Sequence, residues 1–238
     1  MKKTVLVTGA DRGLGFATAK EFLEKGYRVF AGRFLLNWNE LDDLKQQYPS
    51  DLTIIPLDVS DTHSVQTAYA MISKEIDCLD MLINNAGISG SAGDIYNLHG
   101  LDGGCTIFNV NCLGVLRMVH TFLPLMESVN SDKRLCFVSS EAGSISVCHR
   151  TEGFIYPMTK TALNMAVRML HNELYAKGYT FRLFHPGWVR SYMSGKKNVD
   201  GQFEPEESAA SAVRYYTEEL LHEDVLRMID NEFVTWPF

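Results

Sequence analysis

In the stretch GFIYPMTKTALNMAVRML (153–170), Tyr156 stands four positions before Lys160. Residues four apart on a helix are neighbours on one face, so the phenol and the ammonium can cooperate. A nearby positive charge favours a phenolate and lowers a phenol's pKa from its usual value of about 10, making proton transfer easier at neutral pH. Two unrelated surface residues would satisfy the same spacing, so the reading turns on what else the chain carries. TGADRGLG (8–15) suggests phosphate binding, with Gly9, Gly13 and Gly15 spaced G-x-x-x-G-x-G and Asp11, Arg12 and Leu14 among them. Glycines let backbone amides close on a pyrophosphate, and the N-terminus of a following helix adds partial positive charge.

The kind of nucleotide is read from the end of the second strand. A carboxylate there binds a ribose 2′-hydroxyl, whereas arginine accommodates a 2′-phosphate. Arg33 holds that place, and Arg12 lies inside the glycine loop. Two guanidiniums and no acid favour NADP(H), because a guanidinium can grip phosphate through two bonds; a solvated Arg33 is the alternative. Asp58, followed by Val59, comes after the third strand, where it either lies near the adenine or caps a turn. Asn85-Ala86-Gly87 ends the fourth strand with small residues that let backbone pass close to a ribose, or else simply form a turn.

These residues need a frame, and short apolar runs alternating with helix-length stretches supply one. Strands are expected at 4–9, 27–32, 52–59, 79–87, 134–140 and 180–187. Helices are expected at 14–26, 39–48 and 61–76, with Asp61 as N-cap, and over about 106–126 and from Tyr156 onward. Such alternation implies an α/β fold, a parallel sheet with helices on both faces and ligands at the carboxyl ends of the strands. No linker or break in composition divides the chain, which reads as one domain over 1–238.

The 238 residues carry a formal net charge of -7, which speaks against nucleic acid or an anionic membrane as the main partner. No apolar stretch reads as a membrane span and the start does not read as a signal peptide. Five cysteines without C-x-x-C spacing argue against a disulfide framework and a zinc site, so no metal is expected and the thiols suit a cytoplasmic setting.

Taken together, T-G-x-x-x-G-x-G from Thr8, N-N-A-G at 84–87, N-x-x-G from Asn111, S-S-x-x-G at 139–143, Y-x-x-x-K at 156–160 and P-G at 186–187 resemble, in that order, the short-chain dehydrogenase/reductase family. SSEAGSIS, YPMTKTALNMA and HPGWVRSYM look more narrowly like its C-factor-like carbonyl reductases. The resemblance implies a Rossmann-type, doubly wound, mostly parallel seven-stranded sheet and NADPH-dependent reduction of a ketone or aldehyde. It makes Tyr156 the general acid, and has Lys160 tune that acid and hold the nicotinamide ribose. Ser140 would bond the substrate oxygen and Asn111 would hold a relay water. It adds Thr8, Pro186, Gly187, Val189 and Ser191 to the cofactor residues, and implies a homodimer or homotetramer.

Two features depart from the family's usual pattern. Ser140 and Tyr156 are 16 positions apart, wider than is common, as if SISVCHRTEG held an extra turn of chain. Ser139 or Ser144 would replace Ser140 if either faced the substrate. Pro157, lacking an amide proton, requires the helix to begin close to Tyr156. The polar segment 191–208 is expected to form a lid, with Trp188, Tyr192 and Met193 as an apolar wall. Lys196 and Lys197 are either solvated or attract an acidic substrate, and His149 and His185 read as structural. A nucleotide-binding regulatory or signalling protein without turnover is the rival function. An epimerase would need a longer chain.

Overall fold

The computed structural model describes residues 2–90, 93–127, 131–193, 197–220 and 222–238. Strands β1 (Thr4–Val7), β2 (Arg28–Arg33), β3 (Leu52–Pro56), β4 (Met81–Asn84), β5 (Arg134–Val138), β6 (Thr180–His185), β7 (Met228–Asp230) and β8 (Thr235–Trp236) make one sheet ordered β3-β2-β1-β4-β5-β6-β7-β8. All neighbours pair in parallel except β7 and β8, which are antiparallel. The sheet thus has eight strands rather than the expected seven. The extra one is a two-residue return closed by Asp230, whose carboxylate accepts the amides of Glu232 and Val234, both at 2.9 Å. No periodicity can announce so short an element.

Helices α1 (Gly13–Glu24), α2 (Glu40–Gln47), α3 (Thr62–Ile72), α4 (Gly104–Phe108), α5 (Gly114–Met126), α6 (Ile155–Leu174) and α7 (Pro205–Thr217) cover both faces. Burial of both faces is why the strands read as continuous apolar runs rather than alternating ones. Successive residues of β1 feed opposite cores: Leu6 packs with Phe30, Met118, Phe122 and Val167, while Val5 and Val7 pack with Phe22, Val29 and Tyr216. Asp61 caps α3 by accepting the His63 amide at 3.0 Å, as its position suggested. α7 opens with Pro205 inside a reciprocal Glu204/Glu207 capping box, so the last part of the expected lid is helical instead.

Between α4 and α5 the chain makes a π-helical turn, Asn109–Leu113, and Asn111 lies inside it. Turns of this kind recur at functional sites because they re-aim side chains without ending the helix. The helical run Leu101–Met126 is long and apolar enough by length and composition to cross a membrane, contrary to the sequence expectation. Its inner face, including Met118, Val119, Phe122 and Met126, is committed to the core.

Candidate active site

The order of strands reverses between β1 and β4, and a cavity of about 940 Å³ opens there, beyond the carboxyl ends of the strands. Gly9, Asp11, Arg12, Gly13, Leu14 and Gly15 line one end. Close packing explains the glycines best at Gly15, where a Cβ would lie 2.1 Å from the Gly9 carbonyl oxygen and 2.4 Å from Asn85 Nδ2. The loop is bound to the end of β4: Asn85 Nδ2 donates to the carbonyls of Thr8 and Gly9 at 2.9 and 3.1 Å, and Thr8 Oγ1 accepts the amides of Asn85 and Ala86, both at 3.0 Å. Thr8 is therefore a brace behind the cavity and does not line it.

Asp58, Val59, Asn85, Ala86, Gly87, Pro186, Gly187, Val189 and Ser191 line the cavity as well. Asp58 also closes a local turn, its Oδ1 accepting the amide and hydroxyl of Ser60 at 2.8 and 2.6 Å. Arg33 ends β2 as expected, but its side chain is engaged away from the cavity. Its guanidinium is paired with Asp42 of α2 at 2.7 Å and is absent from the lining, while Arg12 is on the lining with its guanidinium 5.5 Å from the Trp38 ring. Sequence spacing put Arg33 at the right strand end, but it did not reveal the acid across from it.

At the inner end, α6 begins at Ile155, so Pro157 falls in the first turn, where its missing amide costs nothing. Tyr156 and Lys160 both line the cavity, and Lys160 Nζ lies 5.7 Å from the Tyr156 ring centroid and donates to the Val138 carbonyl at 2.9 Å. The 3₁₀ turn Glu141–Gly143 brings Ser140 alongside. That approach depends on Gly143, whose Cβ would stand 2.7 Å from the Lys160 backbone. Ser140 stands near enough to the Tyr156 phenol to favour its ionised form. Ser139 donates instead to Asn164 at 2.6 Å, and Ser144 contacts Ser146, so neither takes the place of Ser140 beside the phenol. Asn111 is buried, with its amide bonded to the Ile88 backbone and to Thr159. Both Asn111 and Lys160 approach Gly87: a Cβ there would meet Asn111 Oδ1 at 3.4 Å and Lys160 Nζ at 3.8 Å.

Burial dominates the electrostatics. It pushes the Tyr156 phenol up to about 12, with Ser140 pulling the other way and Glu141 adding to the rise. It brings Lys160 down to about 8. The expected lowering of Tyr156 by Lys160 is thus outweighed by desolvation, which favours the neutral form of each group. Unfolding returns Lys160 to its ordinary 10.5, so from about pH 8 to 9 the unfolded chain binds more protons and stability rises with pH. Above pH 9, Cys136, which burial holds at about 12, acts in the opposite sense. We expect the Tm of the cofactor-free protein to climb between pH 8 and 9, and to climb less in Lys160→Met. Parallel melting curves would remove the depressed Lys160.

Sequence reasoning missed Glu141, Arg150 and Trp236, all of which line the cavity, and read His185 as structural although it lines it too. Trp236 is carried there by β8, held by its Nε1 bond to Asp230 at 2.8 Å. Trp188, Tyr192 and Met193 do line the cavity, with Tyr192 against Trp38, which also meets Arg12. Of the expected lid, residues 194–196, including Lys196, lie outside the described residues. Its flanks are tied together, with Gln202 N donating to the Trp188 carbonyl at 2.7 Å and Arg190 N to that of Phe203 at 2.9 Å.

The family described as "short chain dehydrogenase" matches residues 3–202. C-signal of Myxococcus xanthus is 38% identical over 117 residues, 49% of this chain and 69% of that protein. The NADP-dependent 3-hydroxy acid dehydrogenase of Schizosaccharomyces pombe is 30% identical over 95% of this chain and 85% of its own length. Among solved structures, NADPH-bound carbonyl reductase from chicken fatty liver aligns with a TM-score of 0.88 and 26% identity, covering 100% of this chain and 99% of the other.

Proposed function

The chain belongs to the short-chain dehydrogenase family, and from that premise we propose that it is an NADPH-dependent reductase of a ketone or aldehyde. The observation that carries this reading is that Ser140, Tyr156 and Lys160 line the inner end of the cavity whose other end is the glycine loop. A dinucleotide fits that loop, because Gly9, Gly13 and Gly15 line the cavity without side chains and bring the N-terminus of α1 to it. When bound, NADPH supplies hydride. Gly9, Asp11, Arg12, Gly13, Leu14, Gly15, Asp58, Val59 and the 85–87 turn would hold its adenosine and phosphates. Pro186, Gly187, Val189 and Ser191 would hold the nicotinamide end, with Lys160 on the ribose.

Tyr156 gives its proton to the carbonyl oxygen, and Ser140 fixes the position of that oxygen. Burial suits Tyr156 to this direction, since it arrives protonated. Asn111 and Lys160, which both approach Gly87, are placed to return a proton through water. NADPH consumption with a panel of diketones, quinones, aromatic aldehydes and keto esters tests the reading. Tight NADPH binding without consumption of any carbonyl would favour the regulatory binder instead.

Preference for NADP(H) rests on Arg12, which lines the cavity and meets Asp11 only at 3.4 Å, whereas Arg33 is paired with Asp42 at 2.7 Å and is absent from the lining. A charge-assisted bond to phosphate contributes about 1.5–3 kcal/mol. Arg12→Ala should therefore raise the KM for NADPH by about tenfold or more and leave that for NADH nearly unchanged. Equal effects on both would remove Arg12 from the 2′-phosphate. The same reading includes a homodimer built on the exposed apolar residues Leu113, Leu116, Met158, Met165 and Met169 of the π turn, α5 and α6. Light scattering should give twice the 26.8 kDa chain mass, and a monomer at working concentration would refute it.

A further inference from the structure

The segment that makes the Ser140 to Tyr156 spacing unusually long returns over the site and places Arg150 against Glu141. Glu141 Oε1 is paired with Arg150 Nη2, while Oε2 accepts the Ser140 hydroxyl at 2.5 Å. A serine hydroxyl has one proton and an ionised carboxylate only accepts, so that proton belongs to Glu141. Ser140 Oγ in turn accepts the Ala142 amide at 3.1 Å, while its nearness to the Tyr156 phenol favours the ionised form of that group. In this arrangement Ser140 has no proton left for a carbonyl oxygen. It gains one only by letting go of Glu141, and that strands a carboxylate oxygen unless something else donates to it.

We propose that the substrate itself supplies the replacement donor: the site takes a neutral hydroxy-carbonyl compound, its hydroxyl on the carbon next to the carbonyl, with the hydroxyl bound by Glu141 while Ser140 and Tyr156 donate to the carbonyl oxygen. This rests on the reductase reading above and names its substrate class. Oxygens on adjacent carbons lie about as far apart as two hydrogen-bonded oxygens, so one small molecule can span both positions. Charge selects the kind of donor. Arg150 already balances Glu141, and burial lowers the pKa of His185, whose Nε2 is 4.0 Å from Glu141, towards the neutral imidazole. An ammonium would face Arg150 and a carboxylate would face Glu141, whereas a hydroxyl meets neither penalty. Burial pushes the Glu141 carboxyl up, but its bonds to Ser140 and Arg150 outweigh this and keep it ionised and accepting.

The test compares α-hydroxyacetophenone with α-methoxyacetophenone, which keeps the oxygen and loses the donor. The wild type should favour the hydroxyketone in kcat/KM by about tenfold or more, as expected when a site's polar group is left unpaired by the wrong substrate. In Glu141→Ala the ratio should fall to near one, and Glu141→Gln, which still offers a carbonyl acceptor, should keep part of it. A wild-type ratio near one overturns the proposal. So does faster turnover of benzoylformate or α-aminoacetophenone than of the hydroxyketone, or a ratio unchanged in Glu141→Ala. If no carbonyl consumes NADPH, the reductase reading fails separately. The Glu141 contact is then decided by binding: with NADP⁺ present, phenylethane diol should bind tighter than its terminal monomethyl ether, and equal binding overturns the contact.

Discussion

Tyr156→Phe should lower kcat for carbonyl reduction by about 10³-fold while leaving NADPH affinity nearly unchanged. The substitution removes one oxygen from the first turn of α6, where the phenol faces the cavity, so the fold has little to lose. The chemistry loses the phenolic proton that stands beside Ser140 on the cavity lining. Without it, negative charge developing on the substrate oxygen meets a serine whose own proton is directed to Glu141. NADPH affinity, read by nucleotide fluorescence, should survive because the glycine loop and Arg12 are remote from the change. A variant that still turns over at the wild-type rate would take Tyr156 out of the mechanism. One that no longer binds NADPH would show the phenol to be part of the binding site rather than the acid.

The largest expected effect on stability lies away from the cavity, at Glu223. Arg182 of β6 is fully buried and all five of its N–H groups are engaged: with the carbonyls of Tyr215, Phe181 and Glu218, and with both oxygens of Glu223 at 2.7 and 2.6 Å. Its guanidinium also lies 5.6 Å from the Tyr215 ring. Glu223→Ala would leave a buried guanidinium without its counter-ion, a change that typically costs about 3–5 kcal/mol. For a chain of this size that corresponds to a fall in Tm of roughly 10 °C. The cost should be smaller in Arg182→Met with Glu223→Gln, which removes both charges and keeps most of the volume. If Glu223→Ala melted within a degree or two of the wild type, solvent would have to reach Arg182 and the bidentate pair would carry little.

The sequence announced the sheet because a parallel sheet buries both faces of its strands. β1, β4 and β5 are nearly unbroken apolar runs, and nothing of that signal depends on distant partners. The glycine loop was legible for a similar reason: Gly15 is required by backbone two turns of chain away, Gly9, and the spacing records it. Tyr156 and Lys160 share one helix, so four positions fix their relation. What escaped depends on contacts between separate segments. Arg33 stood at the expected strand end, yet Asp42 on the next helix claims it. Glu141 sits beside Ser140 in plain view, but its role required knowing that Arg150 folds back to it. The one visible sign of that was the long interval before Tyr156. β8 was invisible because Asp230 and a turn position, not strand propensity, create it.

The central claim is hydride transfer to a carbonyl carbon, and following the hydride tests it most directly. The protein is incubated with NADPH carrying deuterium at both C4 positions of the nicotinamide and with the carbonyl panel, and any alcohol formed is analysed by mass spectrometry. We expect an alcohol bearing one deuterium on its carbinol carbon, absent when Tyr156→Phe replaces the wild type. Bound NADPH with no labelled alcohol from any member of the panel would contradict the reductase account.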